Sequence, residues 1–192
     1  RFAFVSFDWC GMSPEVYLDI AEHIEQITGL PREKFALCAT HTHAAPACGV
    51  IDEIPLNHDY IALAAQRAGE ALKEALETEA AGSFDYNFRG ELTYMHNRRG
   101  RPAIDRRIRR AAFYDQAGAL RGIISGASCH AVINTSMNIS ADYLSVLTAE
   151  TEKRFPGVVS IFLQGRAADI NPYNPDGLDI ENMISALGHD FA

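Results

Sequence analysis

FALCATHTHAAP, residues 35–46, is an apolar run that ends abruptly in a His-x-His pair, small residues and a proline. The run has the length of a buried strand, and His41 and His43 stand where such a strand would end. Residues two apart on extended backbone point to the same side, so both imidazoles can face one cavity. Imidazole is the commonest metal ligand, and its charge changes near neutral pH. The pair therefore indicates a metal site or acid–base catalysis, although two polar residues at a strand end would give the same pattern.

The residues before this stretch predict a βαβ unit. Residues 2–9 (FAFVSFDW) are typical of a buried strand. Ser13-Pro14-Glu15 combines an N-cap, a first-turn proline and an acidic residue, which indicates the start of a helix. We expect this helix to end near Gly29. Strand, helix and strand in this order predict two parallel strands. Ligands gather at the carboxyl ends of such strands, and both Asp8 and the His-x-His pair fall at that edge.

The rest of the chain alternates between helical and strand-like segments. We predict a loop over 44–57, a helix over 58–79, a strand over 83–94, a loop over 95–102, hairpin strands over 111–114 and 120–129, a helix over 142–155, a strand over 157–163 and a last helix over 178–187. The predicted fold class is α/β, a single domain over residues 1–192 with a mixed β-sheet flanked by helices and beginning with the βαβ unit.

Composition restricts the class of protein. The 192 residues are 47% hydrophobic and 22% charged, which is ordinary for a soluble globular domain with its own core. A formal net charge of −8 argues against nucleic-acid binding, which needs a basic surface. No apolar run approaches the roughly 20 residues of a membrane span. The chain opens directly into a strand, without an initiator Met or a signal-peptide pattern, so we expect a fragment or a processed form.

The four cysteines, Cys10, Cys38, Cys48 and Cys129, match neither a CxxC metal site nor a disulfide framework. Small buried thiols are their expected role. This use of cysteine is compatible with a reducing compartment and slightly favours the cytoplasm, while an export history stays open.

Further polar residues follow the other predicted strands. His130 follows 120–129, and Asp169 and Asn171 follow 157–163. His41 with His130 would supply two nitrogen ligands, but a catalytic zinc usually has three protein ligands and a water, and no third His stands at a comparable position. We expect Asp142 to cap the following helix, and it is also a candidate carboxylate partner for the His130 ring.

A basic run over 98–110 contains seven arginines, most of which we expect in a solvated loop. Arg98 differs because it follows Asn97 in a loop that can lie near the strand ends. A guanidinium there could hold a carboxylate or a carbonyl oxygen.

Taken in order, several motifs resemble the neutral/alkaline ceramidase family. The matching stretches are ATHTHAAP (39–46), NR (97–98), CH (129–130), TSMN (135–138), ISAD (139–142) and QGRAADINP (164–172). The resemblance covers nearly the whole chain. It implies an α/β catalytic domain, of which this chain would be the amino-terminal portion, and a zinc ion that serves in hydrolysis of the amide of N-acylsphingosines.

The resemblance also implies a role for each matching residue. His41 and His130 would be zinc ligands, while His43 and Arg98 would contact the substrate amide or its tetrahedral intermediate. The zinc would lower the pKa of a bound water and polarise the carbonyl; His43 and Arg98 would stabilise the charge that appears on oxygen. The family completes its zinc ligands with a Glu and a Tyr farther along than residue 192.

The loop after His43 reads Ala44-Ala45-Pro46 where the family often has Ser-Gly-Pro, so the substrate is left as an N-acylsphingosine-like or another small or lipid amide. Two alternatives stay open. The chain could be a non-catalytic ligand-binding domain that retains the fold with an incomplete metal site, or a Cys–His hydrolase that uses Cys48 and His43. The oligomeric state is not indicated.

Overall fold

A computed structural model describes residues 1–49 and 54–190 and confirms a mixed α/β fold that opens with a βαβ unit. The strands are β1 (Ala3–Phe7), β2 (Phe35–Ala39), β3 (Gly82–Glu91), β4 (Met95–Asn97), β5 (Arg107–Asp115), β6 (Leu120–Ala127), β7 (Val159–Gln164) and β8 (Ile170–Pro172). The helices are α1 (Pro14–Thr28), α2 (His58–Glu77), α3 (Tyr143–Arg154) and α4 (Ile180–His189), with a 3₁₀ turn over Arg32–Lys34. Part of the predicted loop over 44–57, residues 50–53, lies outside the described residues.

The βαβ unit forms as its sequence signals predict. β1 and β2 pair in parallel, from Ala3 opposite Phe35 onwards. The Ser13 hydroxyl accepts a hydrogen bond from the Val16 amide at the start of α1, and Gly29 ends the helix with a positive φ of 67°. An apolar stripe of α1 packs with residues of α2 in one buried core cluster. This cluster covers one face of the β1–β2 pair. Its members from the two helices are Val16, Ile20, Ala21, Ile24, Ile61, Ala65, Ala68 and Leu72.

A four-stranded mixed sheet lies beside this pair in the order β3-β5-β6-β7. β5 is antiparallel to both β3 and β6, whereas β6 and β7 are parallel. The Ser6 hydroxyl of β1 donates to the Phe162 carbonyl of β7 over 2.8 Å. Just beyond β2 and β6, Thr42 and Ala131 form a parallel bridge. These parallel strands therefore bring their carboxyl ends to one edge, where the predicted site residues fall.

A second core cluster lies between this sheet and the helices α3 and α4. Leu144, Leu147 and Leu187 from the helices are buried in it with Phe162 of β7. No helix of the described chain is long and apolar enough to cross a membrane.

Two of the predicted boundaries are wrong. The predicted loop over 95–102 contains β4, which pairs antiparallel with β8 from Met95 opposite Pro172 to Asn97 opposite Ile170. A strand of three residues is too short to show alternation, and its partner lies far away in sequence. β5 begins at Arg107 instead of residue 111, so part of the predicted solvated loop is a strand.

The arginines of β5 have specific partners that explain why this basic segment is ordered. Arg107 and Arg109 both bind the Asp105 carboxylate, and these bonds hold the pKa of that carboxyl far below its usual range. The Arg107 guanidinium also lies 4.7 Å from the centroid of the Phe88 ring on β3, within the range of a cation–π contact.

The contact between α3 and α4 predicts the effect of one substitution. A β-carbon at Gly188 would lie 2.5 Å from Cβ of Val146 and 2.8 Å from the Tyr143 carbonyl oxygen. Neither atom is the end of a flexible side chain, so the helices would have to separate. We expect Gly188→Ala to lower the free energy of unfolding by about 1–3 kcal/mol, measured by urea denaturation.

Gly69→Ala is the matched control, because it also adds a methyl group to a buried helical glycine. The new β-carbon would chiefly meet Cδ1 of Ile27 at 2.5 Å, an atom that can rotate away. Alanine favours a helix over glycine by about 1 kcal/mol, so we expect little net change. Equal losses in the two variants would contradict the packing argument.

Candidate active site

The candidate site is built where the chain leaves β2 and β6. The bridge between Thr42 and Ala131 continues the two strands, and the His43 amide donates to the Ala131 carbonyl over 3.1 Å. Thr42 is fully buried, and its hydroxyl donates to the Ser140 carbonyl over 2.7 Å. His41 and His43 therefore flank the bridge on the chain that leaves β2, and His130 lies next to it on the chain that leaves β6.

His41 is held in a backbone conformation that few residues adopt. Its φ is 66°, the left-handed region that a non-glycine residue rarely enters. The His41 amide donates to the Trp9 carbonyl over 2.8 Å, and Nδ1 lies 2.5 Å from the Cys10 carbonyl oxygen. A carbonyl can only accept, so Nδ1 carries the proton and Nε2 keeps a free lone pair.

His130 has the same arrangement in a buried position. Its amide and its Nδ1 each lie 3.0 Å from the carbonyl oxygen of Ile170, which is the first residue of β8. Nδ1 is again the donor and Nε2 is again free. The carboxylate of Asp142 is not the partner of this ring: it accepts from the amides of Asn134 and Tyr143, the latter as the predicted cap of α3.

The three imidazoles form a compact cluster. The ring centroids of His41 and His130 are 4.8 Å apart, those of His41 and His43 are 5.0 Å apart, and those of His43 and His130 are 5.8 Å apart. One donor atom each of Cys10, His41 and His43 also lies within 4.8 Å of the other two. His41 thus belongs both to the expected pair with His130 and to a triad with a thiol.

These residues fit a zinc-type ion. Metal-bound histidines usually donate their second ring N–H to a carbonyl or carboxylate, which fixes the tautomer and the ring orientation. His41 and His130 both do this through backbone carbonyls. Imidazole nitrogen and cysteine sulfur are also the donor types that zinc prefers.

The electrostatics of the cluster favour the neutral forms of His43 and His130. Burial lowers the pKa of His130, and the positive charges of His41 and Arg98 lower it further, against the opposing hydrogen bond to Ile170. Burial also lowers the pKa of His43, with added contributions from His41, His130 and Arg98. Neutral imidazole is the form that binds a metal or accepts a proton.

Arg98 directly follows β4, and its positive charge lowers the pKa of His43 and of His130. Its amide donates to the Asp169 carbonyl over 2.8 Å, and Nη2 donates to the Ala168 carbonyl over 2.5 Å. Asn97 donates from Nδ2 to the Asp169 carboxylate over 2.9 Å. The segment that leads into β8 therefore holds Arg98, and the first residue of β8 holds His130.

The remaining sequence candidates lie elsewhere. Asp8 follows β1 but lines a separate cavity of about 370 Å³ against α3. Asn171 stands opposite His96 in the ladder between β4 and β8.

The thiol of Cys48 lacks the environment of a nucleophile. Cys48 is buried, its Sγ donates to the Pro46 carbonyl over 3.3 Å, and burial together with Cys10 raises its pKa to about 11. A catalytic thiol needs a lowered pKa, so this geometry disfavours the Cys48–His43 hydrolase.

Two parts of the site have no counterpart in the sequence analysis. Cys10 lies two residues beyond Asp8 at the end of β1, and the strand-end rule that selected Asp8 could have selected it as well. The Ile170 carbonyl is a backbone group, and nothing in the sequence distinguishes it.

These features define a class of protein: an α/β protein with histidines clustered at the carboxyl edge of parallel strands. The fold is that of part of the neutral ceramidases, which confirms the expected resemblance at the level of fold. The neutral ceramidase from Pseudomonas aeruginosa superimposes with a TM-score of 0.82, at 21% sequence identity, over 98% of this chain. A ceramidase complexed with C2 gives a TM-score of 0.86 at 19% identity, also over 98% of this chain.

This chain spans 34% of the length of either ceramidase chain. No protein-family model and no curated protein matches the sequence.

The positive charge of Arg98 predicts a change in the titration of His43. Removing a neighbouring cation favours the charged imidazole, so we expect Arg98→Gln to raise the pKa of His43 and that of His130. The measurement is an NMR titration of the histidine ring protons in metal-free protein. Arg99→Gln is the matched control, since Arg99 is not among the charges that lower either pKa.

The lowered pKa values of His43 and His130 also contribute to the pH dependence of stability. In the folded protein the pKa of each of these two rings is lower than its ordinary value. The folded protein therefore binds fewer protons than the unfolded chain once the pH falls below about 6.5. Stability should therefore decrease below that pH, and less steeply in Arg98→Gln. Identical pKa values of His43 in the Arg98 and Arg99 variants would contradict the proposed proximity.

Proposed function

We propose that this chain is part of a zinc-dependent amidohydrolase of the ceramidase type, which cleaves the linear amide of an N-acylsphingosine-like or other lipid substrate. His41 and His130 bind the zinc, and His43 and Arg98 act on the amide. The observation that carries the proposal is the pair of imidazoles from separate strand ends, 4.8 Å apart, each with Nδ1 bound to a backbone carbonyl.

The zinc supplies a Lewis acid and lowers the pKa of a bound water. The chain's own residues do the rest. The lowered pKa of His43 leaves its ring neutral at neutral pH, so it can donate one hydrogen bond and accept another. Its exposed position beside the zinc pair suits it to bind the substrate oxygen or to take up a proton.

Arg98 supplies fixed positive charge at the same edge. One Nη atom is bound to the Ala168 carbonyl, which orients the guanidinium, and its remaining N–H groups can bind an oxygen. Preorganised donors of this kind stabilise negative charge as it develops on a carbonyl oxygen. His43 and Arg98 would therefore both act on the oxygen of the substrate amide.

The remaining zinc ligands would come from outside this chain. A catalytic zinc needs at least three protein ligands, and His41 and His130 supply two. We propose that the chain corresponds to the amino-terminal portion of a longer ceramidase-like catalytic domain, with further ligands contributed from farther along. The share of the ceramidase chains that it spans, 34%, supports this reading.

Metal analysis of site variants tests the proposal. The natural protein should carry stoichiometric zinc, and His41→Ala and His130→Ala should each lose it, because each removes one of few ligands. His23→Ala is the matched control: its ring lies on α1 and binds the Gln66 side chain, so zinc should stay. Retention of zinc in both site variants would refute the assignment of ligands.

Turnover separates the enzyme from a binding domain with the same fold. We expect zinc-loaded protein to hydrolyse an N-acylsphingosine or another long-chain N-acyl amide, and chelation to abolish this. Arg98→Gln should lower kcat while zinc content stays unchanged, since Arg98 acts on the substrate. Binding of such amides without hydrolysis, unaffected by chelators, would instead favour the non-catalytic alternative.

A further inference from the structure

The cavity of about 370 Å³ that Asp8 lines lies between α3 and the strands β1 and β7, and the proposed hydrolase does not use it. We call it the Asp8 cavity. Its polar lining consists of two carboxylates and five hydroxyl groups, on Asp8, Glu152, Ser6, Thr40, Ser145, Thr148 and Ser160. Among the described residues no Lys, Arg or His lines it. A cavity lined by one sign of charge concentrates ligands of the opposite sign, so this lining favours a cation.

The alternation of side chains along β1 directs polar groups into this cavity. Val5 and Phe7 pack in the core cluster that contains α1 and α2. Successive side chains of a strand point to opposite faces, so Ser6 points to the other face, where α3 lies. The residues of α3 that add polar groups to the cavity recur every three or four positions and so share one face of the helix: Ser145, Thr148 and Glu152.

The Ser160 hydroxyl is buried in this cavity without a hydrogen bond. Ser160 is 6% exposed, and its Oγ has no hydrogen-bond partner in the part of the chain that the structure describes. Ser160 stands two residues before Phe162, which packs in the core cluster with Leu144 of α3. The two side chains therefore lie on the same face of β7. A buried hydroxyl without a partner is destabilising, and a ligand in the cavity could supply that partner.

Asp8 carries a negative charge that no described residue neutralises. Burial raises the pKa of Asp8, and the neighbouring Thr40 hydroxyl opposes this rise. None of the ion pairs of the described chain includes Asp8 or Glu152. A raised pKa means that folding disfavours the ionised carboxylate. A cation bound in the cavity would stabilise it.

The two carboxylates lie towards opposite ends of the cavity. The Ser6 hydroxyl donates to the Phe162 carbonyl over 2.8 Å, so these two residues are level. Asp8 follows Ser6 by two residues, whereas the Glu152 carboxylate accepts from the amide of Ser160, two residues before Phe162. At about 3.3 Å per residue, these positions differ by roughly 13 Å along the parallel strands. One metal ion cannot bridge them, because even calcium–oxygen bonds reach only about 2.6 Å.

We propose that the Asp8 cavity binds a linear aliphatic amine that carries an ammonium group near each end, of the diamine or polyamine class. One ammonium binds the Asp8 carboxylate and the other binds Glu152, beside the Ser160 hydroxyl. An ammonium group has three N–H donors and no acceptor, which suits a lining of carboxylate and hydroxyl oxygens. The apolar side chains of Leu144 and Phe162 also line the cavity and can pack against the methylene chain. This site is independent of the proposed hydrolase.

Thermal unfolding and titration calorimetry with spermidine test the proposal and need no activity. A ligand that binds only the folded protein raises Tm, so spermidine should raise the Tm of the natural protein at low salt. This rise should decrease as NaCl is added, because salt screens the charges. Asp8→Asn and Glu152→Gln keep the size of the side chain and remove its charge. Each should weaken the binding of spermidine at least about tenfold.

Asp8→Asn should also be at least as stable as the natural protein without ligand, because burial does not penalise a neutral amide. This result would separate lost binding from lost folding.

Glu150→Gln is the matched control. It makes the same change of net charge on the same helix, but Glu150 pairs with Lys153 and does not line the cavity. It should keep the affinity for spermidine, and an equal loss in this variant would reduce the effect to net charge and refute the site. Butylamine, with one ammonium group, should bind more weakly; equal affinity would refute binding at both ends. If Mg²⁺ raised Tm as much as spermidine and Asp8→Asn abolished this, the cavity would be a metal site and the proposal wrong. Absence of any effect of spermidine on the natural protein would overturn it as well.

Discussion

The bridge between Thr42 and Ala131 is the contact on which the site depends. The described hydrogen-bonded ladders divide the strands into a β1–β2 pair, a four-stranded sheet and the β4–β8 pair. The first two are joined by the hydrogen bond from the Ser6 hydroxyl of β1 to the Phe162 carbonyl of β7 and, at the carboxyl edge, by this bridge with its His43–Ala131 bond. Because His43 and His130 are the immediate neighbours of the two bridged residues, this bridge fixes their backbone positions relative to each other.

The site orients its histidines with backbone carbonyls instead of carboxylates. A carboxylate beside each ring would stabilise the imidazolium form and raise the pKa. A carbonyl fixes the tautomer without a full negative charge, so at His130 burial and the neighbouring cations still lower the pKa of the ring. Asp142 lies in the same part of the chain, but its charge is taken up by backbone amides at the start of α3. A lowered pKa at His130 and a nearby arginine can therefore coexist.

Much of the fold could be predicted from the sequence because its signals are local. The cap at Ser13, the glycine at position 29 and the apolar run before His41 each specify a boundary within a few residues. β4 could not be predicted, because three residues carry no periodicity and its stability comes from pairing with β8. The three histidines selected from the sequence do lie together, because His41, His43 and His130 follow strands that end at the same edge.

The orientation of the site residues lay beyond sequence reasoning. The left-handed backbone of His41 depends on carbonyls of the β1 loop, and the ring of His130 depends on the carbonyl of Ile170. Backbone groups have no identity in a sequence, so only the fold shows which of them are used. Cys10 was within reach of the same strand-end rule, yet its relevance depends on a contact with a residue of the next strand.

The β4–β8 pair and the segment before β8 connect Arg98 with His130. Arg98 is fastened to residues 168 and 169, and His130 is fastened twice to residue 170. Three successive peptide units thus position both the guanidinium and the imidazole, so a substitution that displaces this segment would move both groups.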